Sequence, residues 1–261
     1  MRFGRLIVAA SVLVAAPLGA QNVAEHVSAG IAAREARDPA GALKHFQAAL
    51  AQDSMNYQAN WEAALALIDI GKATPDEVKS PARDSLYALA EVYARRAATA
   101  NPSDAEGHFA LANAIGRASL TKSKKERVQR ASEIRNEALR AIQLNPRHDG
   151  AYHVLGRWNA EIMRLSGATR FFAKNFLGGD VFNQASWEGA VSNLEKAVEL
   201  NPRRIYHRLD LAEVYVDRGR YSDARTQLQR VEALPVADPL DPTYKQQAAD
   251  LLKKIGNRKD S

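Results

Sequence analysis

The residues of this chain that could perform acid–base or metal chemistry are scattered rather than clustered. None of the six histidines belongs to a His-Glu-x-x-His or comparable ligand motif. The absence of cysteine excludes disulfides, thiol catalysis and cysteine-type zinc sites. Phosphate-binding glycine loops and the Gly-x-Ser-x-Gly motif are also missing, and Glu161 and Glu188 are too far apart in sequence to indicate a catalytic pair. We therefore predict no enzymatic activity, no metal and no cofactor.

A second set of polar residues is typical of binding rather than catalysis. Its members fall at positions of three predicted helices that would line one shared groove: Asn113, Arg117, His153, Arg157, Glu213 and Asp217. Arginine offers a bidentate fork, so the first four could hold a carboxylate or a phosphate. The alternative for Arg157 is an ordinary ion pair with Glu161, one helical turn further on. The mixture of polar and charged groups favours a peptide over a lipid in the groove.

A third feature is an aromatic segment that holds four of the seven phenylalanines: Phe171, Phe172, Phe176 and Phe182. The segment can fold over its own hairpin as a lid and fill the core. Alternatively, it can expose a hydrophobic surface to a peptide, a partner helix or a lipid chain. Both interpretations remain open at this stage.

The elements that position these residues are predicted by a repeated helix stop. Asn-Pro occurs at 101–102, 145–146 and 201–202, each time after an alanine-containing amphipathic helix and before another helix. Proline lacks an amide hydrogen and disfavours the helical conformation in the residue before it, so a helix rarely continues through Asn-Pro. After the second stop, Asp149 is suited to cap the next helix, and Gly156 suits a close approach of two helix backbones.

This pattern resembles the tetratricopeptide repeat (TPR), in which small and aromatic residues recur about every 34 positions. The last repeat, from Ile205, fits without gaps, and others begin near Val23, Tyr57, Ala105 and Asp149. Each helical hairpin buries one apolar stripe and needs a neighbour to cover the other. We predict an all-α, right-handed TPR-like solenoid of about five repeats, closed by a capping helix over 242–255.

The intervals between stops exceed the repeat length in two places. Asn-Pro recurs after 44 and then 56 residues, which leaves about 10 and 22 extra residues against a repeat of about 34. The first excess lies around Ser119–Glu126 and predicts a longer helix with a polar bend. The second is the phenylalanine-rich insertion, 163–186. The predicted organisation is therefore repeats over 21–103, repeats with the insertion and cap over 104–255, and a tail over 256–261.

The N-terminus is predicted to be a secretory signal peptide, residues 1–20. Arg2 and Arg5 precede an apolar run over 6–16, and small residues lead to a cleavage point after Ala20. Such a leader predicts a periplasmic or secreted protein, with membrane association only if the leader stays uncleaved. The chain carries a formal charge of +6, but acidic residues are interspersed with the basic ones, so we predict no nucleic-acid partner.

The second half of the chain is also similar to the TPR domain of the regulator of microtubule dynamics family, over roughly 145–255. The similarity includes Leu155-Gly156-Arg157-Trp158, the insertion after Leu165-Ser166, and later matches at Trp187, Ala190, Leu194, Ala197, Leu211, Ala212 and Tyr215. Animal members of that family are tied to microtubules, organelle contact sites and lipid handling. The resemblance implies an adaptor without a catalytic motif, here as a secreted, bacterial-type member.

These observations lead to one expected function and one alternative. We expect a non-enzymatic scaffold that binds a protein or peptide segment in its concave groove. The alternative is a carrier of a lipid or another apolar molecule, with the phenylalanine-rich insertion closing the pocket. A lipid would need a continuous apolar groove, whereas a peptide would need polar and charged groove positions.

Overall fold

The computed structural model describes residues 18–76, 78–176 and 179–261, without the side chains of residues 18–21, Lys124, Phe172, Lys174 and Phe176. The predicted signal peptide therefore lies outside the described residues, apart from its last three. Within these ranges the regular structure is entirely helical. No helix in the described part of the chain combines the length and apolar character that a membrane span requires.

Twelve α-helices follow one another in the described ranges. Their bounds are α1 Leu18–Glu35, α2 Pro39–Gln52, α3 Tyr57–Lys72, α4 Pro81–Ala100, α5 Ala105–Ala118, α6 Lys124–Leu144, α7 Asp149–Arg164, α8 Gly167–Phe176, α9 Trp187–Leu200, α10 Ile205–Asp217, α11 Tyr221–Ala233 and α12 Asp241–Ile255. Two short 3₁₀ helices span Ser119–Thr121 and Asp180–Gln184. The five predicted hairpins are α1/α2, α3/α4, α5/α6, α7/α9 and α10/α11, and α12 is the cap.

The three Asn-Pro stops act in the same way. Asn101, Asn145 and Asn201 each donate their backbone N–H to the carbonyl four residues earlier and then leave the helix with φ between −135° and −140°. This is the extended conformation that a following proline demands. The predicted cap at Asp149 is wrong: His148 is the N-cap, and its Nδ1 accepts the Ala151 N–H at 3.1 Å. Asp149 is instead the first residue of α7, so its carboxylate does not cap this helix and can accept hydrogen bonds from side chains of other helices.

Small residues allow the paired helices to lie close together. A Cβ atom on Gly156 of α7 would approach Leu194 Cγ of α9 to 2.6 Å and the Leu194 backbone nitrogen to 3.1 Å. Ala212 of α10 and Ala224 of α11 belong to one apolar cluster, and both are fully buried. The expected role of Gly156 as a point of close approach is therefore confirmed, and α9 is the second helix of the fourth repeat despite the long insertion.

The two extra segments of the sequence meet each other. Helix α6 begins early, behind a capping box between Ser123 and Glu126, as a helix of 21 residues. Its first turns, at Val128 and Ala131, pack into one apolar cluster with Ala173 of α8 and Phe182 of the second 3₁₀ helix. The extension of α6 thus provides the surface that receives the insertion. We call this group the insertion cluster.

The C-terminal tail packs back onto the last hairpin. Ser261 N–H donates to the carbonyl of Gly219, which takes a positive φ of 70° in the turn between α10 and α11. The Asp260 carboxylate accepts the Ser222 N–H at 2.8 Å. These contacts tie 256–261 to the fifth repeat next to the capping helix.

Candidate binding groove

The first helices of the repeats form the inner, concave side of the solenoid. Lys72 at the end of α3 lies over the Tyr206 ring of α10, with its Nζ 5.7 Å from the ring centroid. These residues belong to the second and fifth repeats, so the array curves back towards itself. The six residues predicted for the groove lie on three helices of this side, namely α5, α7 and α10.

Arg157 is the centre of a charged network between α7 and α10. Its guanidinium bonds Glu161 on its own helix at 3.1 Å, and Asp210 and Glu213 on α10 at 3.2 Å each. The expected i, i+4 pair with Glu161 is therefore present, and Arg157 also joins the fourth and fifth repeats. Arginine suits this role because its fork presents several donors in one plane. Binding of a carboxylate or phosphate ligand by Arg157 stays a prediction.

Arg164 continues this network one turn beyond Glu161. It bonds Glu161 at 2.7 Å and Asp217 of α10 at 2.7 Å, and approaches Glu213 at 3.6 Å. With Arg157 and Asp210, these residues make up what we call the α7–α10 ion-pair network. The predicted groove residues Arg157, Glu213 and Asp217 are thus brought together.

Among the residues that the structure describes, the predicted groove residues on α5 form no ion pair with the α7–α10 ion-pair network. Arg117 bonds Asp76, in the connection after α3, at 3.0 Å. Asn113 lies half-buried one turn earlier on α5. Arg117 is therefore already paired with a carboxylate, as Arg157 is, and an anionic ligand would have to compete with these internal partners.

Carboxylates exceed guanidinium groups in the α7–α10 ion-pair network. Four carboxylates, from Glu161, Asp210, Glu213 and Asp217, face the two arginines. Burial and the neighbouring Asp210 raise the pKa of Glu213 to about 7, against the opposing effect of Arg157. Although Asp210 is also desolvated, Arg157 and the hydrogen bond from His153 hold its pKa well below the usual range. Among these carboxylates, Glu213 is therefore one that binds a proton readily, whereas Asp210 stays ionised.

His153, the last of the six predicted groove residues to be placed, connects this network to a buried histidine. Its Nε2 lies 3.0 Å from Asp210 Oδ2, and its Nδ1 lies 3.0 Å from the Nδ1 of His207. His207 is fully buried and contacts Asp149 Oδ2 through its own Nε2 at 2.9 Å. Asp149 also accepts a hydrogen bond from the Asn201 side chain, so the Asn-Pro stop and the start of α7 share one carboxylate.

The phenylalanine-rich insertion lies away from this network. Phe182 is buried in the insertion cluster beside Trp158, whose indole N–H donates to the Ala131 carbonyl at 2.8 Å. Phe171 points outward on α8 and is 66% exposed. The side chains of Phe172 and Phe176 lie outside the described residues. Phe182 is thus buried, as the lid interpretation expects, and Phe171 is exposed, as the binding interpretation expects; the choice between the two stays a prediction.

Comparisons with known proteins agree with this architecture. The sequence profile described as "Regulator of microtubule dynamics protein 1-3" matches residues 28–256. The chain belongs to this family. The match also covers the N-terminal repeats, whereas the resemblance seen in the sequence was restricted to 145–255. Regulator of microtubule dynamics protein 3 of Rattus norvegicus is 24% identical over 202 residues, which are 75% of this chain and 41% of the relative, so the chain spans well under two thirds of that protein.

Two solved structures show the same fold. A thermophilic TPR protein of Thermus thermophilus superimposes with a TM-score of 0.63 at 18% identity, over 88% of this chain and 99% of its own. PilF of Pseudomonas aeruginosa gives a TM-score of 0.53 at 13% identity, over 91% of this chain and 93% of its own. The predicted TPR-like solenoid is therefore confirmed for this member of the regulator of microtubule dynamics family.

Sequence reasoning missed several residues that the groove of this family member contains. Asp210 follows the same spacing as Glu213 and Asp217, at i, i+3 and i+7, and this spacing could have placed all three on one face of α10. Arg164 stands seven residues after Arg157 on α7 and could have been found in the same way. Lys72 and Tyr206 carry no such signal, because their contact depends on how strongly the solenoid curves.

Proposed function

We propose that this protein is a non-enzymatic scaffold that holds a segment of a protein partner along its concave face. The helical-repeat fold supports an interaction role, and the observation that carries the proposal is the α7–α10 ion-pair network. Its charged groups lie on the concave side, where an extended segment can run across successive repeats. The geometry provides polar anchoring along the groove, as a peptide requires.

The chemistry of the network favours a partner segment with lysine or arginine side chains. The carboxylate side chain of Glu161 is 52% exposed and that of Glu213 is 36% exposed, whereas Arg157 and Arg164 are 33% and 28% exposed. The approaching partner therefore meets acceptors with unused lone pairs more readily than unused donors. A cation beside Glu213 would also oppose the burial and the repulsion from Asp210 that raise the pKa of Glu213. Arg117 and Arg157 contribute by positioning the carboxylates.

A photo-crosslinking experiment tests this proposal. A benzophenone amino acid replaces Asn113 inside the groove or, as the control, exposed Val92 on α4. We expect polypeptide adducts from position 113 that are lost in the triple variant Glu161→Gln, Glu213→Gln, Asp217→Asn. The matched control removes three exposed carboxylates on second helices through Glu188→Gln, Glu199→Gln and Glu232→Gln. An equal yield of adducts from position 92 would contradict the proposal, and so would a yield from position 113 that the triple variant does not change.

A lipid or another apolar ligand is the second candidate, and the exposed Phe171 is the observation that favours it. An outward aromatic ring on α8 offers an apolar contact that the solenoid itself does not need. Native mass spectrometry of protein purified from its own host separates the two candidates. A co-purifying mass of phospholipid size, lost in Phe171→Ser, would support the carrier. Protein that is free of small ligands would leave the scaffold as the better interpretation.

We also propose that the protein acts outside the cytoplasm, as a secreted, bacterial-type member of its family. The support is the sequence of residues 1–20, with two arginines, an apolar run and small residues before Gln21. N-terminal sequencing of the protein from the periplasm or medium of its host checks this directly. A mature chain beginning at Gln21 is expected, and retention of Met1 on a cytoplasmic protein would contradict it.

A further inference from the structure

The pair formed by His153 and His207 has an unusual hydrogen-bonding requirement. Three contacts join four side chains in a row: Asp149 to His207 at 2.9 Å, His207 to His153 at 3.0 Å, and His153 to Asp210 at 3.0 Å. The outer contacts use Nε2 of each ring, and the central contact joins the two Nδ1 atoms. All three distances are those of hydrogen bonds.

The number of protons in this row decides whether the central contact between the two Nδ1 atoms is a hydrogen bond or a repulsive contact. An ionised carboxylate only accepts, and a neutral imidazole carries one N–H. Two neutral rings therefore supply two protons, and both are used on Nε2 towards Asp149 and Asp210. The central contact would then join two lone pairs at 3.0 Å, which is repulsive. Turning either ring over would move its Nε2 away from its carboxylate. The observed arrangement therefore requires a third proton.

A metal ion is a poorer explanation of the two facing nitrogens. A protein zinc site needs at least three protein ligands, and no group of three or more His, Cys, Asp or Glu side chains with metal-binding geometry occurs in the described part of the chain. The cations Lys72, Arg157 and Arg204 also lie near the pair and oppose a further positive ion. A single proton needs no ligand beyond the two nitrogens.

The surroundings indicate the pH range in which that proton binds. Burial lowers the pKa of His153, and lowers that of His207 to about 4, against the raising effects of Asp210 and Asp149. The charged and titratable groups that face the pair from α3, α7 and the start of α10 are Lys72, Asp149, Arg157, Arg204, Tyr206 and Asp210. Uptake of the third proton is therefore expected below the ordinary histidine value of about 6.5.

We propose that His153 and His207 share one proton between their Nδ1 atoms, and that loss of this proton breaks the contact and moves His153 within the groove. His153 is the mobile partner because His207 is fully buried, whereas the His153 side chain is 14% exposed and lines the concave side. Asp210, which bonds both His153 and Arg157, links the change to the α7–α10 ion-pair network. The consequence for partner binding rests on the proposed scaffold function.

Nitrogen-15 NMR of the protein labelled at histidine tests the shared proton without any partner. From about pH 8 to about pH 4 we expect both Nε2 atoms to stay protonated while the two Nδ1 signals change together, with one midpoint below about 6.5. In His153→Asn the His207 signal should lose this joint transition. The pair His26 and His45, with Nδ1 atoms 3.4 Å apart and no hydrogen bond to a carboxylate in the described structure, is the internal control. Two independent transitions, or a shift on adding one equivalent of Zn²⁺, would overturn the proposal.

The link to the groove is tested separately, with the benzophenone at position 113. We expect the yield of polypeptide adducts to change more between pH 5 and pH 8 in the wild type than in His153→Asn, in which Glu213 still titrates but the shared proton is absent. A joint NMR transition together with an adduct yield that changes equally in the two proteins would retain the shared proton and reject its link to the groove. Absence of adducts at every pH would reject the scaffold function and leave the NMR result unaffected.

Discussion

The α7–α10 ion-pair network and the insertion cluster join neighbouring parts of the same solenoid by opposite means. The network consists of charged side chains that remain partly exposed, with more carboxylates than guanidiniums. The insertion cluster consists of apolar side chains such as Val128, Trp158 and Phe182, each less than 9% exposed. We therefore expect the cluster to stabilise the chain strongly, and the network to contribute less stability while it keeps a polar surface accessible.

The residues of the network and those of the cluster also come from different parts of the repeat sequence. The network uses positions that any repeat of this length has, on the first helices of the fourth and fifth repeats. The cluster combines Trp158 of α7 with residues that exceed the repeat length, at the start of α6 and in the part of the insertion that follows α7. Extra sequence has therefore been added where it buries apolar surface, away from the concave side. The predictions below test this division by stability and by its dependence on salt and pH.

Replacing Phe182 should have the largest effect. Phe182→Ala removes a buried aromatic side chain and leaves a cavity, at an expected cost of about 3–5 kcal/mol in the free energy of unfolding. Urea denaturation at low salt and at high salt should give the same loss, because the contact is apolar. Phe171→Ala, at the exposed ring, is the control and should change stability by no more than about 0.5 kcal/mol. Equal effects of the two variants would show that the insertion is not anchored through Phe182.

Trp158→Phe should have the next largest effect. The variant keeps an aromatic ring but loses the indole N–H that bonds the Ala131 carbonyl, and we expect a loss of about 1–3 kcal/mol. Like the first variant, it should be insensitive to salt. Hydrogen exchange should localise the loss to the first turns of α6. Protection that decreases instead along α10 would mean that Trp158 supports the groove rather than the insertion.

Removing the central cation of the network should cost less, and the cost should depend on salt. Arg157→Met keeps the apolar stem and leaves Glu161, Asp210 and Glu213 without their shared partner. We expect a loss of about 1 kcal/mol at low salt that shrinks towards about 1 M NaCl, because ion pairs that remain partly exposed to water are weak and are screened by salt. Lys196→Met, which breaks the single exposed pair with Glu199, is the control and should be nearly neutral. A loss that does not depend on salt would contradict the contrast with the insertion cluster.

The fold could be predicted from the sequence because its signals are local. Each Asn-Pro stop fixes one helix end through the conformation of a single residue, and Gly156 marks a helix contact through the missing Cβ. The partners of the groove residues could not be predicted in the same way. Arg157 shows this, since its bond to Glu161 follows from helical spacing, whereas its bonds to Asp210 and Glu213 depend on how the fourth and fifth repeats are rotated.

The insertion and the histidine pair were beyond sequence reasoning for the same reason. Nothing in the spacing of Val128 and Phe182 shows that the two extra segments meet. His153 was predicted as a groove residue, but His207 carried no signal, and the assignment of the cap to Asp149 instead of His148 concealed the carboxylate that His207 contacts. Long-range contacts of this kind are set by packing between repeats.

The smallest expected effect concerns Glu213 and depends on pH. Its pKa is raised to about 7 in the folded protein from the ordinary value of 4.5, so the folded state holds this proton more tightly than the unfolded state. The resulting stabilisation is complete below pH 4.5 and is lost as the pH rises towards 7.

Glu213→Gln removes this dependence and should be more stable than the wild type above about pH 7, by less than about 1 kcal/mol because the carboxylate is partly exposed and screened. The two proteins should converge at about pH 4.5. Urea titrations at about pH 4.5 and at pH 8 measure the difference, with Glu199→Gln, at an exposed site outside the network, as the control. A variant less stable than the wild type at pH 8 would show that Glu213 is a net stabilising partner of Arg157, and the network would then resemble the insertion cluster in favouring stability over an accessible charge.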